Sequence, residues 1–360
     1  MKTIECLYNE IISCPSKWIY WDYNDSIADE VKEIIPDFSS MYNEGCGERL
    51  IMKLLRVGNK SGCSLVENVK HLSTERKRHI ISLFFIGHLL YDRINVISDC
   101  VNAQINALGF PQKEDEPIGS QKLFSFLWIL LCLYHDLGYA YEEGKLRIED
   151  ASSLEDIYSK LLNDFNPPIY NVNNVANHDK YRLCKWGVKD HGIWGGRMFF
   201  KNMLQIKTLL LQTARIDKTN VFCTKDIDHI YAFAAWIIIC HNLRYDNGKE
   251  YVDCFKCQHL EDFIKSKARC INLKSNPLLF LFCLADTLEP TKILKSKKEN
   301  QQSLEICKLL ELNISANILS FSLDKLMDYA AGDKYKEVIL SMSDWLIDVN
   351  TDTLSIAFSK

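Results

Sequence analysis

Three of the most apolar runs in this chain end on groups that are costly to bury. LWILLCLYHD closes on His135 and Asp136, FAAWIIICHN on His241 and Asn242, and PLLFLFCLAD on Asp286. Such runs read as helices enclosed by protein. An unpaired carboxylate there costs several kcal/mol, because the ion gives up its hydration in a low-dielectric interior. A shared divalent cation is the simplest compensation. It binds neutral imidazole and ionised carboxylate and offsets the desolvation of several groups together. Taken singly, a histidine closing an apolar helix is usually a hydrogen-bonded core residue. The second His-Asp pair, His178 and Asp179 in NHDKYR, has no apolar lead-in and reads as surface. Asp228 and His229 precede YAFAAW and read as a helix cap.

Composition narrows the class. The 360 residues are 47% hydrophobic and 25% charged, which suits a globular chain with a sizeable core. A formal net charge of -4 supplies no global basic field, so nucleic acid is not an expected partner. The apolar run LFSFLWILLCLY (123–134) is too short for a bilayer, so no membrane partner is expected either. The opening MKTIECLYNE lacks the basic-then-apolar order of a secretory signal, so the expected location is cytoplasmic with reduced thiols. Most of the 14 cysteines lie in apolar runs, as Cys132, Cys240 and Cys283 do, and behave there as small hydrophobes. CFKCQH (Cys254, Cys257, His259) resembles a zinc-ligand spacing but lacks a clear fourth ligand.

Glycine (15) and proline (8) are scarce, and helical periodicity dominates. Helices are expected over 76–98, 122–137, 190–214, 227–243 and 277–290. The fold class is therefore mainly α. Residues 1–69 read as a helical or mixed N-terminal extension. Residues 70–299 form the core, with inserted loops near 99–121 and 141–185; the second contains NPPIYNVNNVANHDK. Residues 300–360 read as a small α/β piece. Alternating apolar residues mark strands in ANILSFSL and WLIDVNTDTLSIAF, with a turn at 350–353 and a helix between the strands.

The ordered set of His, His-Asp, His, His and Asp resembles the HD superfamily of metal-dependent phosphohydrolases. The residues that carry it are RHIISLFFIG (His79), LYHDLGY (His135, Asp136), KDHGIWGG (His191), IIICHN (His241) and CLADTLEP (Asp286). They span roughly 75–292. The resemblance implies an HD-domain helical bundle with the metal site amid its helices. It implies His79, His135, Asp136 and Asp286 as the basic metal set, and His191 and His241 as the additional ligands of two-metal members. Asp136 would bridge two ions, and Asp136, His191 and His241 would carry the catalysis. The ions implied are divalent transition metals (Mn, Fe, Co, Ni or Zn, or else Mg). His88 competes with His79 for the first position. Nine residues apart on one helix, the two point to opposite faces and cannot bind the same ion. The position of His79 near the helix start, followed by Gly87, fits the family pattern better. Gly195 and Gly196 follow His191 and would let its helix approach its neighbours closely.

The expected activity is hydrolysis of a phosphoester or phosphoanhydride, by metal-activated water, in a small phosphorylated substrate such as a nucleotide or a cyclic or dinucleotide. No phosphate-cradling Gly-rich loop and no nucleophile elbow competes with that reading. Lys292, Arg197 and Tyr139 are candidate substrate contacts. ADTLEPTK is similar to a segment of the HD-type dinucleoside tetraphosphate hydrolases, but the insertions here are larger. Alternatives are an HD-fold di-iron oxygenase and a non-catalytic nucleotide-binding module. Homo-oligomerisation is left open.

Overall fold

The computed structural model describes residues 1–14, 72–110, 119–142, 151–162, 170–212, 227–243, 256–257, 271–289, 308, 310–315, 317–322, 330–342, 349–350 and 355–358. These fall into two compact units. One draws on Met1–Leu54, Ser73–Asn102 and Ile271–Lys360, the other on Leu55–Leu72 and Ala103–Cys270. The described chain is mainly α with one small sheet.

The first unit begins with β1 (Lys2–Thr3) and α1 (Ile4–Ile12). The Thr3 side chain accepts from the Cys6 amide, a standard N-cap. Ile4, Leu7, Tyr8 and Ile11 are buried on one face, and the Tyr8 ring meets Phe85 edge-on at 4.6 Å. Phe85 belongs to α2 (Thr74–Arg93), which carries His79. A single helix was expected over 76–98. Instead α2 stops at Arg93, and the chain bends by 102° into α3 (Asn95–Ala107). Ile94 is the corner: its backbone is extended, and its carbonyl accepts from the Ile97 and Ser98 amides to start α3. Residues 99–107, expected as part of an inserted loop, are therefore helical.

Residues 311 onward add β2 (Glu311–Ser315), β3 (Ile318–Ser322), α11 (Ala330–Ser341), β4 (Val349–Asn350) and β5 (Ser355–Ala357). The α/β character expected here is present. The sheet is antiparallel in the order β1-β2-β3-β5-β4. The N-terminal strand completes it, through the pairs Lys2↔Leu312 and Thr3↔Glu311. Alternation buries Leu319 and Phe321 on one face, opposite Ile356 and Leu312 respectively. Of the expected turn at 350–353, Asn350 ends β4 and residues 351–353 lie outside the described residues. This piece supports α10 (Pro277–Leu288), the helix that carries Asp286: the Tyr335 hydroxyl donates to the Leu288 carbonyl at 2.7 Å, and Phe358 meets Phe280 edge-on. Pro277 sits at the first turn of α10, where its missing N–H costs nothing.

The second unit contains α4 (Ser120–Tyr134), α5 (Gly138–Glu142), α6 (Leu154–Leu162), α7 (Val172–Trp186), α8 (His191–Gln212) and α9 (Asp228–Cys240). The stretch Leu123–Tyr141 is apolar enough by composition to cross a membrane, but 94% of that window is buried inside the protein. Helices α6 and α7 occupy much of the stretch expected as a loop over 141–185. Its repeated asparagines are a helix start. The Asn171 side chain accepts from the Asn174 amide at 2.9 Å, and Asn174 accepts from the Asn171 amide at 3.3 Å, a capping box. Val175, His178 and Tyr181 then fall on one buried face, and Gly187 closes the helix with a left-handed backbone (φ 69°). Asp228 and His229 do not cap α9. Asp228 lies in its first turn and accepts from Lys207, while His229 Nε2 donates to the Leu108 carbonyl.

No disulfide joins the described cysteines, and Cys132, Cys240 and Cys283 are buried as expected. Of CFKCQH, Cys254 and His259 lie outside the described residues.

Candidate metal centre

His135 and His241 occupy equivalent places, as the C-cap residues of α4 and α9. The last carbonyls of a helix lack intrahelical partners. Each histidine fills one of these vacancies. His135 Nδ1 donates to the Cys132 carbonyl at 2.9 Å, and His241 Nδ1 donates to the Ile238 carbonyl at 2.6 Å. These bonds fix the tautomer. In the neutral rings Nε2 then carries the lone pair, which is how a ligating histidine is held.

Asp136 follows His135 directly. Its Oδ1 lies 3.4 Å from His135 Nε2 and 3.8 Å from His191 Nε2. The rings of His135 and His191 each sit 5.4 Å from that of His241. Ligand atoms of Asp136, His191 and His241 lie within 4.8 Å of one another. All four residues are at most 5% exposed. Buried imidazole lone pairs and a carboxylate thus converge, and both helix C-termini add negative potential. This donor set fits a metal ion and could hold one.

Glycines bring the elements this close. On α8, Gly192, Gly195 and Gly196 form one face. A methyl added at Gly192 would stand 2.9 Å from His241 Cε1, at Gly195 2.6 Å from the Tyr134 carbonyl oxygen, and at Gly196 2.5 Å from that of Ala235. One added at Gly138 would overlap the His191 carbonyl. The close approach expected of Gly195 and Gly196 is present, and Gly138 and Gly192 share in it.

Within the first unit, His79 and Asp286 meet. His79 Nε2 lies 3.1 Å from Asp286 Oδ1, and Nδ1 lies 2.6 Å from Glu289 Oε2. With Nδ1–H donated to Glu289, a neutral ring faces Asp286 with its lone pair. Two acceptors at 3.1 Å call for a positive charge between them, either a second ring proton or a cation. His88 stands elsewhere on α2, its ring edge-on to Phe84 at 4.6 Å, and burial pushes its pKa down to about 3.

Of the candidate substrate contacts, Tyr139 stacks on the His191 ring at 3.9 Å and holds its plane. Arg197 lies over Trp194 at 4.2 Å and donates from Nε to the Ser152 carbonyl. Lys292 lies outside the described residues.

His178 is not a surface residue. It is 4% exposed, with Nδ1 3.6 Å from Asp190 Oδ2. Burial holds its ring below the usual histidine range, against the pull of Asp190. Sequence reading assigned no role to Asp190 or Glu289. Both are fully buried carboxylates one residue beyond a helix end, and that position was the available signal. Comparison with protein-family models, with curated proteins and with solved structures finds no match.

Proposed function

We propose that this chain is a metal-dependent phosphohydrolase of the HD type, cleaving a phosphoester or phosphoanhydride bond in a nucleotide or a cyclic or dinucleotide. The observation that carries the reading is the convergence of Asp136, His191 and His241, with the His241 tautomer fixed by a backbone carbonyl. Asp136, His135, His191 and His241 would hold one part of the metal complement. His79 and Asp286 are the remaining ligands that the resemblance implies. Bound divalent ions supply Lewis acidity, activating water and offsetting negative charge that develops on the phosphoryl oxygens.

The chain's own groups do the rest. The carbonyls of Cys132 and Ile238 hold protons on Nδ1 and so keep Nε2 of His135 and His241 available. Tyr139 restrains His191 by stacking. The apolar helices that surround these groups exclude bulk water and strengthen every charge interaction among them.

The test is elemental analysis of untagged protein purified without chelators, beside Asp136→Asn, followed by a nucleotide hydrolysis screen. The expected result is about two transition-metal ions per chain, lost in the variant together with hydrolysis, while helix content is retained. Full activity in Asp136→Asn would refute the reading. Iron with oxygen consumption would favour a di-iron oxygenase, and absence of metal after manganese reconstitution would favour a non-catalytic module.

A further inference from the structure

Asp190 has no part in the ligand set, yet it is a heavily engaged buried carboxylate. Its Oδ1 accepts from the amides of Gly192 (2.9 Å) and Ile193 (3.1 Å), which caps α8 directly behind His191. Its Oδ2 accepts from Asn242 Nδ2 at 2.9 Å, and Asn242 is the residue after His241. His178 Nδ1 and Arg182 Nε, both from α7, lie 3.6 and 3.7 Å from the same oxygen. The Asp190 amide donates to Asp179 Oδ1 at 2.8 Å.

We infer that Asp190 is a positioning residue for the metal group: its two oxygens tie the turn that presents His191 to the turn that presents His241, and the pair His178-Asp179 holds it in place. The inference rests on the metal reading above. Capping a helix needs one oxygen, and a neutral serine or asparagine does it. Capping therefore explains Oδ1 and leaves Oδ2 unexplained. A carboxylate is far more costly to bury than either. The second oxygen gains its donor from a different helix end and lies within 3.7 Å of His178 and Arg182 on α7, which a cap does not require. The second His-Asp pair of the sequence thus supports the site from behind it.

The experiment is cobalt(II) titration of the full chain, followed by visible absorption and calorimetry, with circular dichroism to monitor folding. Asp190→Asn keeps the cap acceptor but sets Nδ2 against Nδ2 of Asn242. It should weaken cobalt binding about ten- to a hundredfold and alter the d–d spectrum while helix content holds. The reciprocal variant D190N/N242D restores a donor–acceptor pair and should recover most of the affinity. A purely structural role would instead lower stability alike in both variants. Should Asp190→Asn fail to fold, Asn242→Ala leaves the α8 cap intact and should show the same weakening. Unchanged affinity and spectrum in Asp190→Asn or Asn242→Ala, or a reciprocal variant no better than Asp190→Asn, would overturn the inference. A wild-type chain that takes up no cobalt would overturn the metal reading and the inference with it.

Discussion

Gly196→Ala sets two effects of opposite sign against each other. In an exposed helix interior, alanine is favoured over glycine by about 1 kcal/mol. Here the added methyl would stand 2.5 Å from the Ala235 carbonyl oxygen and 2.6 Å from Ile239 Cγ1. Real Cβ contacts essentially never fall under 3.0 Å, so α8 must retreat from α9 by at least the difference, 3.0 − 2.5 = 0.5 Å. One of the atoms met is backbone, which no rotamer change can move aside. Overpacking of this kind costs about 1–3 kcal/mol. With the propensity gain subtracted, the net loss is about 0–2 kcal/mol. The functional effect is larger, because His191 rides on α8 and His241 on α9, and ligand geometry tolerates only about 0.5 Å of error. Cobalt affinity should therefore fall at least about tenfold. The assay is denaturant unfolding with cobalt titration, using Gly119→Ala, where an added methyl meets nothing within 4 Å, as the control. A Gly196→Ala protein that is more stable than wild type and binds cobalt as tightly would show that propensity wins and that the helices are not so closely apposed.

Two further outcomes follow from buried histidines outside the ligand set. His178→Ala removes a buried ring facing Asp190 and should cost about 2 kcal/mol in denaturant unfolding, whereas a surface histidine would cost nothing measurable. His88 has its pKa pushed from 6.5 to about 3 by burial, so the unfolded chain binds its proton first. The stability it contributes is complete above pH 6.5 and is lost progressively toward pH 3, amounting to about 2 kcal/mol between pH 7.5 and pH 5. His88→Leu should lose that much less across the same interval, and an unchanged pH slope would refute the neutral buried ring.

The helices were legible where apolar periodicity was long. The candidate ligand positions were legible because His135, His241 and Asp286 close runs in which a polar group has no ordinary reason to be. Misreadings have local causes. Asparagine clusters favour loops and helix starts alike, and only the three-residue spacing of Asn171 and Asn174 separates the two. The spacing Val175–His178–Tyr181 held the correction for His178, since it places the histidine on the apolar face of α7. β1 is two residues long and carries no pattern of its own; its partner lies some three hundred residues away, at Glu311 and Leu312. Asp190 and Glu289 were passed over because an acidic residue beside a helix end ordinarily faces water, and before a helix start, as Asp190 stands, serves the dipole.

The choice between core histidines and a metal group turns on where their protons are. A core histidine satisfies its ring by donating from one nitrogen and accepting at the other. At His135 and His241 the donated proton is accounted for, on the backbone carbonyls of Cys132 and Ile238. In the neutral ring the remaining nitrogen can only accept. For His135 it faces Asp136 Oδ1, an acceptor too, and His191 Nε2 points at that same oxygen. Protonating a ring would relieve one such contact, but it places charge in a site from which water is excluded. One divalent ion relieves all of them together and leaves each imidazole neutral. The placement of the two helix ends follows from the same bonds. An apolar helix leaves carbonyls exposed at its C-terminus, and a histidine in the cap position satisfies one with Nδ1 while presenting Nε2 to whatever lies beyond.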